Sequence, residues 1–360
     1  MKYAAALAGL ALSTGMVQAG GIDRSTLPFS VLYEDGRVIQ LGFSNVNPSV
    51  SGLAGGVSST GNMSENYSSL SFAYKADLTD KLSYAIILNQ PYGADALYTA
   101  VYTGLEAHWQ SEQLTALIKY QASDRFSVYG GLRYVQSEAN IIIPPALLGP
   151  LGTYTANADT DGQFGYVLGM AYEIPDIALR VGLSYESEIT HTFDTAESFT
   201  GLNGGATLTG TTDIILPQTV TLDFQSGVAK DTLVFGSIRW SEWSKWHVRP
   251  SYYNTVTNSE ITGFDDDVVT YELGVGRKIN DNLSVFARIG YEKSEGDVAS
   301  RLSPTDGSRS IGIGGSYTKD NMKITGGIEY VDLGDAVDGS GVVFSDNEAV
   351  GVGVSVQFTF

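Results

Sequence analysis

Ala349-Val350-Gly351-Val352-Gly353-Val354-Ser355-Val356-Gln357-Phe358-Thr359-Phe360 closes the chain. Val350, Val352, Val354, Val356, Phe358 and Phe360 are apolar, and the residues between them are small or polar. Side chains of a strand point alternately to its two faces, so this stretch has one wholly apolar face and one small or polar face. A half-buried strand of a soluble sandwich alternates in this way. So does a strand that separates lipid from water. The rest of the chain decides between them.

Upstream, the same period recurs in about fourteen candidate strands. They centre on 38–45, 67–75, 82–89, 114–121, 125–135, 163–173, 177–188, 218–227, 232–245, 268–277, 282–292, 310–317, 322–331 and 349–360. Leu179, Val181, Leu183 and Tyr185 stand against Arg180, Gly182, Ser184 and Glu186; Val220, Leu222 and Phe224 stand against Thr219, Thr221, Asp223 and Gln225. Connections alternate in length. Ser123-Asp124, Pro175-Asp176, Asn280-Asp281 and Lys319-Asp320-Asn321 have turn chemistry. The connections 136–162, 190–216, 246–267 and 293–309 are long. Short turns on one side and long loops on the other are the asymmetry of an outer-membrane barrel. An even strand count allows closure without an unpaired edge. The fold expected is therefore all-β, a transmembrane antiparallel β-barrel of about fourteen strands over 37–360, ending on an aromatic residue as bacterial outer-membrane barrels do.

Met1-Lys2, an apolar run from Tyr3 to Leu12 and a small-residue tail ending at Ala19 read as a secretory signal peptide, residues 1–19. Beyond it no apolar run is long enough for a transmembrane helix. The absence of cysteine excludes disulfides, thiolate metal sites and a cysteine nucleophile. Forty acidic against 21 basic residues, net −19, argue against nucleic acid as a partner. With 42 Gly, 21 Tyr and 14 Phe the composition suits barrel strands with aromatic girdles. The segment 20–36 has no clear period and is expected inside the lumen or at its periplasmic mouth.

Two consecutive strands, Phe164-Gly165-Tyr166-Val167-Leu168-Gly169-Met170-Ala171-Tyr172-Glu173 and Leu179-Arg180-Val181-Gly182-Leu183-Ser184-Tyr185-Glu186-Ser187-Glu188, resemble the FadL/TodX family of outer-membrane long-chain fatty-acid and hydrocarbon transporters. Leu216-Pro217, Arg239-Trp240-Ser241-Glu242-Trp243-Ser244 and Ser303-Pro304-Thr305-Asp306-Gly307-Ser308-Arg309 continue the match in order. The resemblance implies fourteen strands, an N-terminal plug called the hatch, and passive uptake of hydrophobic molecules. It also implies that cargo is caught by outer loops, passed to a lumen pocket and released sideways through a gap in the wall. One departure concerns the family's Asn-Pro-Ala hatch motif. Asn47-Pro48-Ser49 is the nearest match, but it follows the first strand and is expected to begin an external loop, which leaves 20–36 as a short hatch.

Candidate ligand residues fall in two groups. Ile141, Ile142, Ile143, Leu147, Leu148 and Leu151 make the third long connection apolar, either as a landing site for greasy cargo or as a cap packed on the barrel. Arg133, Arg180 and Arg239, with Arg288, point inward by alternation. Each could take a carboxylate, or pair with Glu186, Glu272, Glu292 or Asp223 to satisfy a polar lumen. Trp240, Trp243 and Trp246 are expected on a strand near the outer rim, with Trp243 facing opposite to the other two, as part of an interface girdle. His108, His191 and His247 lie in no catalytic or metal-ligand motif, although an Asp–His pair near the rim is open to His191 and His247. Asp159-Thr160-Asp161-Gly162 and Asp265-Asp266-Asp267 lack the spacing of a Ca²⁺ loop and read as solvated acidic loops. The expectation is a monomeric channel without cofactor or metal, whose partners are hydrophobic small molecules, above all long-chain fatty acids, and outer-membrane lipid. A diffusion porin for polar solutes and a barrel hydrolase are the alternatives.

Overall fold

The computed structural model describes residues 21–296 and 298–360; the predicted signal peptide lies outside the described residues. The main sheet has seventeen hydrogen-bonded segments, which make fourteen wall strands because three strands are each interrupted once. In chain order these are β1 Val38–Ser49, β2 Tyr67–Thr79, β3 Leu82–Asn89 resuming as Gly93–Leu97, β4 Glu106–Gln121, β5 Phe126–Ile143, β6 Tyr154–Ile174, and β7 Leu179–Glu186 resuming as Ile189–Phe199. Then follow β8 Leu208–Leu216 resuming as Thr219–Ala229, β9 Thr232–Ser241, β10 Val268–Lys278, β11 Leu283–Glu292, β12 Ser308–Lys319, β13 Met322–Leu333 and β14 Asn347–Thr359. Each pairs antiparallel with its neighbour, and β14 returns to β1 from Val38↔Thr359 to Ser49↔Glu348. The closing strand therefore joins the first, and the barrel has no free edge.

Alternation assigns the faces. Val352 and Val354 on β14 face out beside Leu41 and Phe43 on β1, while Ser355 and Ala349 are buried inside. Leu41, Leu70 and Phe164 are 52%, 66% and 71% exposed. A belt of such side chains would cost about 25 cal/mol per Å² in water and nothing in lipid, so the outer wall is a lipid surface. Tyrosines pair across neighbouring strands towards both rims: Tyr74 with Tyr84, Tyr166 with Tyr185 and Tyr271 with Tyr291, at ring centroids of 5.9, 5.8 and 6.4 Å. These are interfacial girdle positions. Inside, Tyr129 lies across Gly169, where a Cβ would stand 2.1 Å from its ring, so this close approach requires glycine.

Two expectations change. The connections 136–162 and 190–216 are mostly strand: β5 and β6 continue to Ile143 and Tyr154, and β7 and β8 to Phe199 and Leu208. These hairpins rise above the lipid belt, where both faces meet protein or water and alternation weakens. Asn47-Pro48-Ser49 does not begin a loop; it is the outer end of β1, paired with Val350, Ala349 and Glu348.

The tall hairpins carry a cap. Ser251–Thr257 forms a short helix, α1, in the connection between β9 and β10. Glu197 of β7, 1% exposed, accepts bonds from the N–H groups of Tyr252 (3.0 Å) and Tyr253 (2.8 Å) and from the Tyr154 hydroxyl (2.8 Å). It satisfies the first donors of α1 from another strand. Glu197→Ala is expected to leave those donors buried and unpaired, costing about 1–3 kcal/mol. Limited proteolysis should then cut within 242–267, and wild-type resistance in the variant would refute this anchoring role.

Candidate functional site

The lower lumen is polar and threaded by the N-terminal segment. Leu27, Val31 and Leu32 pack on the inward side chains Ala85, Ile87, Leu117 and Val167. Phe29–Tyr33 is a 3₁₀ turn, and the Tyr33 ring is flanked by Lys119 Nζ at 4.3 Å and the Arg180 guanidinium at 4.5 Å. Lys75 Nζ donates to the Glu34 and Gly36 carbonyls at 2.7 and 3.1 Å. The segment ends at the periplasmic rim, where Phe360 N–H donates to the Arg37 carbonyl at 2.8 Å.

All four candidate arginines face this lumen, and each has partners. Arg133 binds Glu186 (3.1 Å) and the Ser187 carbonyl (2.6 Å). Arg180 binds Gln225 (3.2 Å), and Arg288 binds Glu329 (2.8 Å) with Glu272 at 3.8 Å. Arg239 holds Asp23 of the N-terminal segment through two bonds, 2.6 and 3.3 Å. The Arg239 and Asp23 side chains are only 11% and 3% exposed. Asp23→Ala is expected to strand Arg239 as a buried unpaired charge, at about 3–5 kcal/mol. The unfolding midpoint should fall and planar-bilayer recordings should show a current the wild type lacks; an unchanged midpoint and conductance would rule out this tether.

Above the charged zone the lumen becomes apolar. A cavity of about 80 Å³ is walled by Ile22 from the N-terminal segment, Trp109 from β4, Ile141 from β5, Ile214 from β8, and Trp246, Ile261 and Phe264 from the connection between β9 and β10. No lysine or arginine is among its lining residues. Trp109 packs edge-on against Trp246 at 6.2 Å, and Trp246 lies against Phe264 at 5.1 Å. The expected strand placement of the tryptophans is wrong for Trp243 and Trp246. β9 stops at Ser241, and Trp243–Lys245 is a 3₁₀ turn. A 3₁₀ turn repeats every three residues, so Trp243 and Trp246 turn the same way, into the lumen. They pack together at 6.3 Å. Trp240 alone stays on β9, bonded through Nε1 to Asp267 at 3.1 Å.

The wall is broken between β2 and β3. β2 pairs with β3 only from Phe72↔Leu88 to Thr79↔Leu82. At Gln90-Pro91-Tyr92 the strand bends away, as a proline that cannot donate a ladder bond promotes. The Gln90 side chain caps the freed Leu70 N–H at 3.1 Å. Ile22 to Ser25 take up part of the lost pairing: Arg24 N–H donates to the Pro91 carbonyl (2.7 Å) and Gly93 N–H to the Ile22 carbonyl (2.8 Å). The Arg24 guanidinium reaches Asp95 and stacks 4.2 Å above the Tyr67 ring. Below lies a niche of about 770 Å³ open at the barrel side. It mixes lipid-facing Leu41, Leu70, Leu88 and Val354 with lumen-facing Ser71, Asn89 and Gln113, so inside and outside meet there.

Of the six apolar loop candidates, Ile141 alone lines the upper cavity. Ile143 is buried beside it, and Leu147, Leu148 and Leu151 pack on a cluster containing Tyr154, Phe199 and Tyr253. Ile142 points to the other face of β5 and is half-buried. The segment forms a self-packed cap.

The acidic stretches and histidines are structural ties. Asp267 also accepts from the Ser244 hydroxyl at 2.5 Å, His247 meets Glu260 at 3.0 Å, and His108 meets Asp95. Asp161 faces His191 Nδ1 at 2.8 Å, and His191 Nε2 lies 3.3 Å from the Ser137 hydroxyl. Ser137 and His191 are 1% and 0% exposed and line none of the described cavities. The array joins β5, β6 and β7.

Sequence reasoning missed Trp109, Ile214, Phe264, Ile22 and the break at Pro91. Only Pro91, directly after a clear strand, carried a local signal.

A closed lipid-facing barrel with an apolar upper cavity, a charged lower lumen and a side opening defines a bacterial outer-membrane channel for hydrophobic substrates. The model of the outer membrane protein transport protein family (OMPP1/FadL/TodX) matches residues 11–358, and the chain belongs to that family. A Pseudomonas aeruginosa FadL homologue is similar in structure, with a TM-score of 0.76 at 12% identity over 99% of this chain and 97% of that one. The Pseudomonas putida toluene transporter TodX has a TM-score of 0.69 at 16% identity over 93% and 92%. The Ralstonia pickettii toluene transporter TbuX has 0.62 at 16% over 90% of each chain. At these identities the likeness is one of fold. A search of the curated proteins returned no significant match.

Proposed function

We propose that the chain takes up small uncharged hydrophobic molecules, of the size of monoaromatic hydrocarbons. Cargo enters the upper cavity and leaves sideways through the break between β2 and β3, while the segment 21–36 plugs the lower lumen. The observation that carries this reading is the contrast between the two halves of the lumen. The upper cavity is mainly apolar and lined by no lysine or arginine. Below it, Arg133, Arg239 and Arg288 are committed to carboxylates and Arg180 to Gln225. Oily cargo gains nothing by descending past buried ion pairs, and the niche at Leu70 and Leu88 gives it an apolar way out. The two solved relatives described as toluene transporters support cargo of this class.

A long-chain fatty acid remains the second reading, because Arg24 lines a side cavity that shares Ile22 and Ala94 with the apolar one. A carboxylate held at Arg24 would leave its chain in the upper cavity. Uptake of radiolabelled toluene, oleate and a disaccharide by cells with and without the protein separates the readings. Toluene uptake alone should rise. A rise in oleate favours the second reading, and a rise in disaccharide alone defeats both.

A further inference from the structure

Two tryptophans that line the upper cavity carry indole donors with no partner among the described residues. Trp109 and Trp246 are 4% and 5% exposed, and both line the cavity. Neither indole Nε1 has a hydrogen-bond acceptor among the described residues. Among the other polar groups of the wall, Thr195 donates to Thr212 at 2.9 Å, Thr262 donates to Ser300 at 2.7 Å, and His108 meets Asp95. A buried indole N–H normally finds an acceptor, and leaving one unmade carries a standing cost. Such groups in a native structure call for an explanation. Here the two rings pack 6.2 Å apart in a lining whose other polar side chains are His108, Asn140, Thr195, Thr212, Thr262 and Ser303, so a cargo oxygen that reaches the indoles removes a cost that a pure hydrocarbon leaves in place.

We propose that Trp109 and Trp246 select uncharged, mainly apolar molecules that carry one oxygen acceptor, such as aryl ketones, over hydrocarbons of the same shape. This rests on the upper cavity being the cargo site. A carboxylate is a poorer fit, because no lysine or arginine lines the cavity and His108 is already paired with Asp95.

Acetophenone and α-methylstyrene differ only by an oxygen in place of a methylene group and serve as the probes. Their binding to the full chain in detergent is read from tryptophan fluorescence and calorimetry, corrected for partition into empty micelles. Acetophenone should bind about tenfold more tightly. Trp246→Phe and Trp109→Phe should each erase most of that preference, read as the ratio of the two probe affinities within the same variant. Trp243 also has an unpaired Nε1 but does not line the cavity, so Trp243→Phe should keep the preference. Heat-modifiable migration on gels verifies that each variant is a folded barrel, and the wild-type comparison of the two probes stands if a variant does not fold. Equal binding of the probes, or a Phe variant that weakens both alike, overturns the donor role alone. Binding of neither probe to the folded wild type removes the cavity as a cargo site and the proposed function with it.

Discussion

Filling the break between β2 and β3 with Ser71→Trp and Asn89→Trp should reduce toluene uptake to the background of cells without the protein. Both residues point inward from strands that part at this level, and both line the niche beside Leu70 and Leu88. Two indoles there close the passage between lumen and lipid without touching the upper cavity. Binding measured in detergent should therefore persist, so the double variant separates capture from release. Uptake is read as the initial rate with labelled toluene, and surface exposure of the folded barrel is checked alongside. A variant that still transports at the wild-type rate would show that cargo leaves elsewhere. The expected size of the effect follows from topology: the remaining route runs past Arg180, Arg239 and Arg288 and the packed segment from Leu27 to Leu32, where an oily molecule meets buried charged groups.

Ala139→Trp should abolish binding itself. Ala139 lines the upper cavity, and a volume of about 80 Å³ cannot take both an indole and a cargo ring. The loss should be at least about a hundredfold, since the apolar area a ring would bury is removed outright. Isothermal titration with toluene checks it, and unaltered affinity would place the cargo site outside this cavity. The opposite change is informative too. A dry apolar cavity that admits benzene is about 150 Å³, larger than this one, so a ring enters only if a wall side chain yields. Ile22 is the lining residue contributed by the N-terminal segment, and Ile22→Ala should tighten toluene binding several-fold by enlarging the space in advance.

The barrel was legible in the sequence where lipid touches it. A residue such as Val352 or Leu183 must be apolar and its neighbours need not be, so the period of two survives in every membrane strand. All fourteen strand centres follow from that rule. Above the lipid the rule lapses: Gln136-Ser137-Glu138-Ala139-Asn140 reads as a loop, yet it is β5 continuing upward, paired with β4 and β6. The inward direction of Arg133, Arg180 and Arg239 followed from the same alternation, but Asp23, Gln225 and Ser187 as partners depend on the path of the N-terminal segment and on strand pairing across the barrel. The upper cavity was illegible for another reason. Ile22, Trp109, Ile214 and Trp246 come from four separate segments, and each alone looks like ordinary core. The tryptophans illustrate the limit: spacing in threes means opposite faces on a strand and one face on a 3₁₀ turn, and the stop of β9 at Ser241 decides which applies.

The most direct test of cargo passing from an apolar upper cavity to a side opening is to locate the cargo. Crystals of the full chain soaked with bromobenzene would place the bromine by anomalous scattering. The account predicts a peak enclosed by Trp109, Trp246 and Ile214, with any second site in the niche at Leu70 and Leu88. A peak in the lower lumen between Arg180 and Arg288, with the upper cavity empty, would contradict it.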